Sequence, residues 1–286
     1  MADRLFSLEA VPLLADHRID GTPFAPFALL VEELLDAEET GDFATLERIE
    51  LVQPLMLRRD RPKTARLHSA PVSGPVDGSR EAEGARIVEL LDDVGAAFIR
   101  GRFLQPSARP SAGISQPGAD VGNPAFGEGS LKLPRADLYP GLLFHGPTFQ
   151  ADFTIGKAEP GSLLVRLSGL AAVPSAPDRL SPTARRAVVA GDLALQAASL
   201  HAMSLVPEPI VPWGCGLYAR FVNVGAGDSL LVRARRLDDG RYDIDVMVET
   251  GEKPTPYMFW RNVEFRAIRA ALSEKARTLL ANIRRT

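Results

Sequence analysis

The chain has 286 residues, 33 Lys and Arg against 36 Asp and Glu, and a formal net charge of −3. Hydrophobic residues make up 45% and charged residues 24%, proportions that suit one large globular domain or two small ones sharing a core. Acids and bases are interspersed without a basic stripe, which argues against nucleic-acid binding, and a single cysteine, Cys215, excludes a disulfide within the chain.

That cysteine usage suits a reducing compartment. The opening Met-Ala-Asp-Arg-Leu-Phe-Ser is not signal-like, and no run of about 20 apolar residues stands out. The expectation is a cytoplasmic protein without a membrane segment.

In chain order, the first feature is the segment holding His17. Gly21, Pro23 and Pro26 follow and stiffen the backbone. Phe27, Leu30, Val31, Leu34 and Leu35 then recur at helical spacing, with Pro26 in the first turn. On this reading Glu32, Glu33 and Asp36 face water, and Gly41 ends the helix. Strands are predicted over 46–57, 85–91 and 96–104. The basic stretch 58–63 is read as a solvated loop, and 69–84 as a long loop.

Residues 105–130 are rich in Pro, Gly, Ser and Ala and are read as a linker. Beyond it, strands are predicted over 151–158 and 162–167. Ser181-Pro182 is an N-cap and first-turn proline for a long apolar helix to Met203. Strands over 218–224, 229–236, 241–249 and 257–266 follow, with turns at 226–228 and 238–240. One helix with several antiparallel strands, occurring twice, gives an α+β protein of two units, 1–104 and 131–286, each wrapping a sheet around a helix.

Two residues carry candidate chemistry. His17 sits just before a helix start, whose free N–H groups could polarise a carbonyl; a structural loop histidine is the alternative. Asp192 lies among apolar neighbours in the second helix, where a carboxylate needs a partner or a proton; an exposed aspartate is the alternative. Gln196 lies one turn on and could orient it. Gly191 would let a substrate approach the helix. No histidine pair has metal-ligand spacing along the chain, and no nucleotide loop or serine nucleophile elbow is present. Cys215, with no flanking base, reads as a wall residue.

These residues resemble the dehydratase domains of polyketide synthases and of related polyunsaturated fatty acid synthases. His17, Gly21 and Pro26 meet the motif His-x-x-x-Gly-x-x-x-x-Pro, and Asp192 and Gln196 meet Asp-x-x-x-Gln. His145, Gly146, Pro147 and Phe149 resemble Tyr-Gly-Pro-x-Phe with histidine in place of tyrosine. Val211-Pro212-Trp213-Gly214-Cys215 resembles Leu-Pro-Phe-x-Trp. Phe27 stands where a glycine is common.

The resemblance implies a double hotdog in which His17 and Asp192 form the acid–base pair of a lyase. That enzyme would remove water from a β-hydroxyacyl thioester on the phosphopantetheine of an acyl carrier protein, with no cofactor. Gly21, Pro26, Phe27, His145, Gly146, Pro147, Phe149, Gln196, Pro212 and Trp213 would lie along the substrate path. Other synthase domains and a second copy of the chain are further expected partners. A same-fold cyclase or double-bond isomerase, a thioesterase, and a non-catalytic domain that binds an acyl carrier remain open.

Overall fold

A computed structural model of the chain describes residues 2–36, 43–72, 85–103, 126, 129–139, 141–156, 161–170, 179–221, 229–250 and 253–286. In the first half, β1 (Ala2–Phe6) leads through a 3-10 turn at Pro12–Asp16 to a small hairpin of β2 (Arg18–Ile19) and β3 (Thr22–Pro23). There follow α1 (Phe27–Leu35), β4 (Phe43–Leu51), β5 (Lys63–Pro71), β6 (Arg86–Leu91) and β7 (Ala97–Phe103). The second half holds β8 (Leu131–Leu133), α2 (Arg135–Leu138), β9 (Asp152–Ile155), β10 (Ser162–Ser168) and α3 (Pro182–Leu205). It ends with β11 (Ile210–Phe221), β12 (Leu230–Arg236), β13 (Tyr242–Thr250), β14 (Lys253–Ala267) and α4 (Glu274–Arg285).

Twelve strands form one antiparallel sheet in the order β1-β5-β6-β7-β4-β11-β14-β13-β12-β10-β9-β8. Its halves meet where β4 pairs with β11, with Leu46 opposite Tyr218. Side chains alternate as a one-sided sheet requires: in β10, Leu163, Val165 and Leu167 are fully buried while Arg166 is directed outward to Glu249. Each half of the sheet wraps one long helix, α1 or α3, and the two helices touch in the centre. The chain has the double-hotdog fold.

The helices form where the sequence places them. Pro26 precedes the first residue of α1, and the Ser181 side chain accepts from the Ala184 N–H to cap α3. The turn at 238–240 closes on Gly240 at φ +85°, a conformation that favours glycine. The turn at 226–228, Gly41 and most of the proposed linker lie outside the described residues.

Several expectations change. Glu32 and Glu33 do not face water; they are 4% and 1% exposed. Glu32 accepts from Tyr218 at 2.6 Å and Arg220 at 3.1 Å, and Glu33 is paired by Arg179 and Arg4. Partners from the other half, with Arg4 from β1, offset the cost of these acids inside the core. Asp36 alone is exposed.

Gly191 faces protein: a β-carbon there would stand 3.1 Å from Trp260 and 3.2 Å from Ala28. Its missing side chain lets α1 and α3 approach. Helix α3 is in fact long and apolar enough to cross a bilayer, yet 89% of its most apolar stretch is buried inside the protein, the signature of a core helix. The strand predicted over 46–57 ends at Leu51, and Ser69 to Pro71 belong to β5. β1, β5, β8 and α4 were not predicted, and β11 begins at Ile210, well before the predicted 218.

Candidate active site

His17 follows the 3-10 turn of Pro12–Asp16, and its ring is tied to the β2–β3 hairpin. Its Nδ1 lies 2.9 Å from the Phe24 carbonyl oxygen. A carbonyl only accepts, so Nδ1 carries the hydrogen and the neutral ring presents the Nε2 lone pair. That Nε2 lies 3.7 Å from Asp192 Oδ1. The two groups come from opposite halves, and at that distance neither is consumed by bonding the other.

A third group joins them. Asp16 accepts from the Thr148 N–H at 3.0 Å and from its hydroxyl, while the Gly146 N–H donates to the Asp16 carbonyl oxygen at 2.6 Å. Asp16 is too close to Gly146 for a side chain, since a β-carbon there would stand 2.6 Å from Asp16 Oδ1 and 2.9 Å from its Cα. This lashing sets His145 beside His17, ring centroids 5.0 Å apart, with its Nε2 3.3 Å from Asp192 Oδ2. Phe144 stacks on His145 at 4.1 Å.

Asp192 is 5% exposed in the middle of α3. Its Oδ2 accepts from Gln196 Nε2 at 2.8 Å. Gln196 Nε2 also donates to the Phe149 carbonyl at 3.0 Å, and Gln196 Oε1 accepts from the Tyr139 hydroxyl at 2.6 Å.

Burial dominates the electrostatics. Desolvation pushes the Asp192 carboxyl up to about 7, the Gln196 hydrogen bond opposing it. It pushes His17 down to about 3 against the Phe24 bond, and holds His145 well below the ordinary histidine range, with His17 adding to the effect. The site at neutral pH therefore holds two neutral imidazoles and a carboxyl that retains its proton over much of its population.

A cavity of about 210 Å³ opens onto this cluster. One face of α3 lines it with Asp192, Leu195, Gln196, Ser199 and Met203, the spacing of a single helical stripe. His17, Phe24, Phe27, Phe144 and His145 line it beside the cluster, and partly exposed Pro209 to Trp213 with Ile268 line it as well. Trp213 is the extra residue of a bulge, since Pro212 pairs with Phe265 and Gly214 with Glu264. Bulges re-aim side chains, and here the indole meets the cavity with Arg266 over its ring at 4.7 Å.

Of the residues singled out in the sequence, His17, Phe27, His145, Asp192, Gln196, Pro212 and Trp213 line the cavity. Gly21, Pro26, Gly146, Pro147 and Phe149 do not. Gly21 is exposed at φ +75° in the β2–β3 turn and Pro26 starts α1. Gly146 and Pro147 shape the lashed loop, and Phe149 contributes its carbonyl and a ring 5.5 Å from His17.

Sequence reasoning missed Asp16 and Tyr139. Asp16 stands beside His17, a weak signal; Tyr139 carries none. It also gave no sign that donor atoms of His17, His145 and Asp192 all lie within 4.8 Å of one another. Cys215 is a buried wall residue: its thiol is pushed up to about 12 by desolvation, leaving no thiolate nucleophile at neutral pH.

Residues 2–83 match the family described as "Polyketide synthase dehydratase domain". Across nearly the whole chain, solved structures of such domains share the fold. The dehydratase domain from the CurJ module of curacin polyketide synthase is 17% identical at TM-score 0.65, covering 98% of this chain and 92% of that one. The dehydratase domain from the terminal module of the rifamycin polyketide synthase is 18% identical at TM-score 0.63, covering 92% and 89%. A trans-AT polyketide synthase dehydratase domain from Brevibacillus brevis is 16% identical at TM-score 0.60, covering 93% of each. No curated protein matches the sequence. The chain is thus similar to polyketide synthase dehydratase domains, in sequence over residues 2–83 and in fold over nearly its whole length.

Proposed function

We propose that this protein removes water from a β-hydroxyacyl thioester, giving an enoyl thioester during polyketide or fatty acid assembly. The observation that carries the reading is the facing of the His17 Nε2 lone pair and the Asp192 carboxyl, 3.7 Å apart on the wall of a mainly apolar cavity. His17 takes the α-proton, and the electron pair moves onto the thioester carbonyl. The first turn of α1 at Phe27 and Ala28 offers N–H groups to that oxygen. The pair then returns, the double bond forms, and the β-hydroxyl leaves with the Asp192 proton as water.

The reverse arrangement of charges is unfavourable, which resets the site. After one turnover His17 is a cation and Asp192 an anion. With His17 held down to about 3 and Asp192 up to about 7, the proton returns to Asp192. No cofactor is called for by this cycle.

A cavity lined mainly by Leu, Phe, Pro, Met and Trp side chains suits an acyl chain. A tethered substrate, carried on the phosphopantetheine of an acyl carrier protein, would enter past Trp213. We place the activity in the cytoplasm alongside other synthase domains.

The test uses a β-hydroxyacyl pantetheine thioester, with products identified by mass. Wild type should lose water from the acyl group; His17→Ala and Asp192→Asn should each fall by at least ~100-fold while staying folded. Near-wild-type turnover by either variant would refute the pair. Free acid would indicate a thioesterase instead, and no water loss from this substrate together with double-bond migration in an enoyl pantetheine thioester would indicate an isomerase.

A further inference from the structure

Asp192 has two oxygens, and the chemistry above needs the proton on the one facing His17. We infer that Tyr139 is a positioning residue that, through Gln196, keeps the Asp192 proton on Oδ1. This rests on the acid role of Asp192 proposed above.

The side-chain amide of Gln196 has only one workable orientation. The Phe149 carbonyl 3.0 Å away can only accept, so the amide nitrogen must face it. The second hydrogen of that nitrogen then points to Asp192 Oδ2 at 2.8 Å. An oxygen that accepts an amide hydrogen is a poor place for a proton, so the proton is left for Oδ1, the oxygen 3.7 Å from His17 Nε2.

Tyr139 completes the lock. Its hydroxyl donates to Gln196 Oε1 at 2.6 Å and is itself hydrogen-bonded by the backbone of Ala151. Gln196 is 3% exposed and Tyr139 7% exposed, so no bulk water replaces a lost partner. Drawing on the amide oxygen also makes the amide N–H groups stronger donors. Tyr139 does not itself line the cavity: it hydrogen-bonds Gln196 and packs edge-on against the His145 ring at 6.4 Å, and its polar link to Asp192 runs through Gln196. The groups facing the Asp192 carboxyl are His17 from the N-terminal loop, His145 from the lashed loop, and Gln196 from its own helix. No Lys or Arg among the described residues pairs with it.

Without the tyrosine hydroxyl, Gln196 Oε1 is orphaned and the amide loses its fixed aim. The bond that favours ionised Asp192 weakens, so its titration moves upward, and the proton spreads over both oxygens.

The experiment compares wild type, Tyr139→Phe and Gln196→Leu. The Asp192 carboxyl is titrated by carbon-13 NMR, with Asp192→Asn to assign the resonance, and turnover is followed on the β-hydroxyacyl pantetheine thioester. We expect both variants to titrate at higher pH than wild type. kcat should fall about 3- to 30-fold with KM changed less than twofold, the alkaline limb of kcat moving with the titration. An unmoved Asp192 titration in a folded Tyr139→Phe protein overturns the inference whatever the turnover. A titration shifted in both variants, with no dehydration by wild type itself, would sustain the linkage and sink the dehydratase reading instead.

Discussion

Two buried residues make opposite demands on pH. Asp192 binds its proton more tightly when folded, at about 7 against an ordinary 3.8, so folding loses stability as pH rises through that window. His17 binds its proton less tightly, at about 3 against 6.5, so stability is lost as pH falls from 6.5 towards 3. Each group can contribute a slope of up to about 1.4 kcal/mol per pH unit, and between pH 4 and 6.5 the two oppose each other. Asp192→Asn should therefore gain on wild type as pH rises from 4 to 7, reaching roughly 2–4 kcal/mol at pH 8. Urea unfolding of both proteins across that range measures it. A difference that stays constant with pH would mean that the carboxyl is not held protonated.

At the level of elements, the contact between α1 and α3 decides whether the two halves of the site meet. Gly191 permits it, and a valine there would press on Trp260 and Ala28. Gly191→Val should cost about 1–3 kcal/mol in denaturant unfolding, and by moving Asp192 away from His17 should also lower turnover of the β-hydroxyacyl thioester. The Glu32–Arg220 pair ties α1 to β11. Arg220→Met should destabilise by about 3 kcal/mol by stranding a buried carboxylate. Glu32→Met combined with Arg220→Met should recover at least about 1 kcal/mol of that. Denaturant midpoints of the single and double variants would show it, and a double variant as weak as the sum of the singles would rule out the pairing argument.

Both long helices were legible because their apolar spacing and proline starts are local. The acids of α1 misled because a helix buried on every side still carries charge when its partners come from distant strands. Tyr218 and Arg220 supply those partners, and no local pattern announces them. His17 and Asp192 stand out as candidates from their neighbours, but only the motif resemblance joins them into a pair. The approach of His145, its Nε2 3.3 Å from Asp192 Oδ2, depends on Asp16 bonding a loop far along the chain. α4 escaped because its buried stripe is only Ala276, Leu280 and Ile283 in a strongly charged stretch.

For the whole molecule, continuity of the sheet through β4 and β11 makes the two hotdogs one mechanical body. A fragment of residues 1–104 would leave the β4 edge unpaired and strip α1 of α3, exposing apolar surface and strand hydrogen bonds together. The 286-residue chain should unfold in urea in one transition, with circular dichroism and tryptophan fluorescence coincident, while the fragment should show no cooperative transition. Two separated transitions in the intact chain would mean that each half folds alone and that the junction is secondary.

The assignment of base to His17 and acid to Asp192 is tested most directly by the pH dependence of the single-turnover dehydration rate. With Asp192 titrating at about 7, the rate should be level from pH 5 to about 6.5 and fall tenfold per unit well above 7, as the acid loses its proton. A rate that climbs through pH 7 to 9 would mean that the carboxylate serves as the base, and would contradict the account.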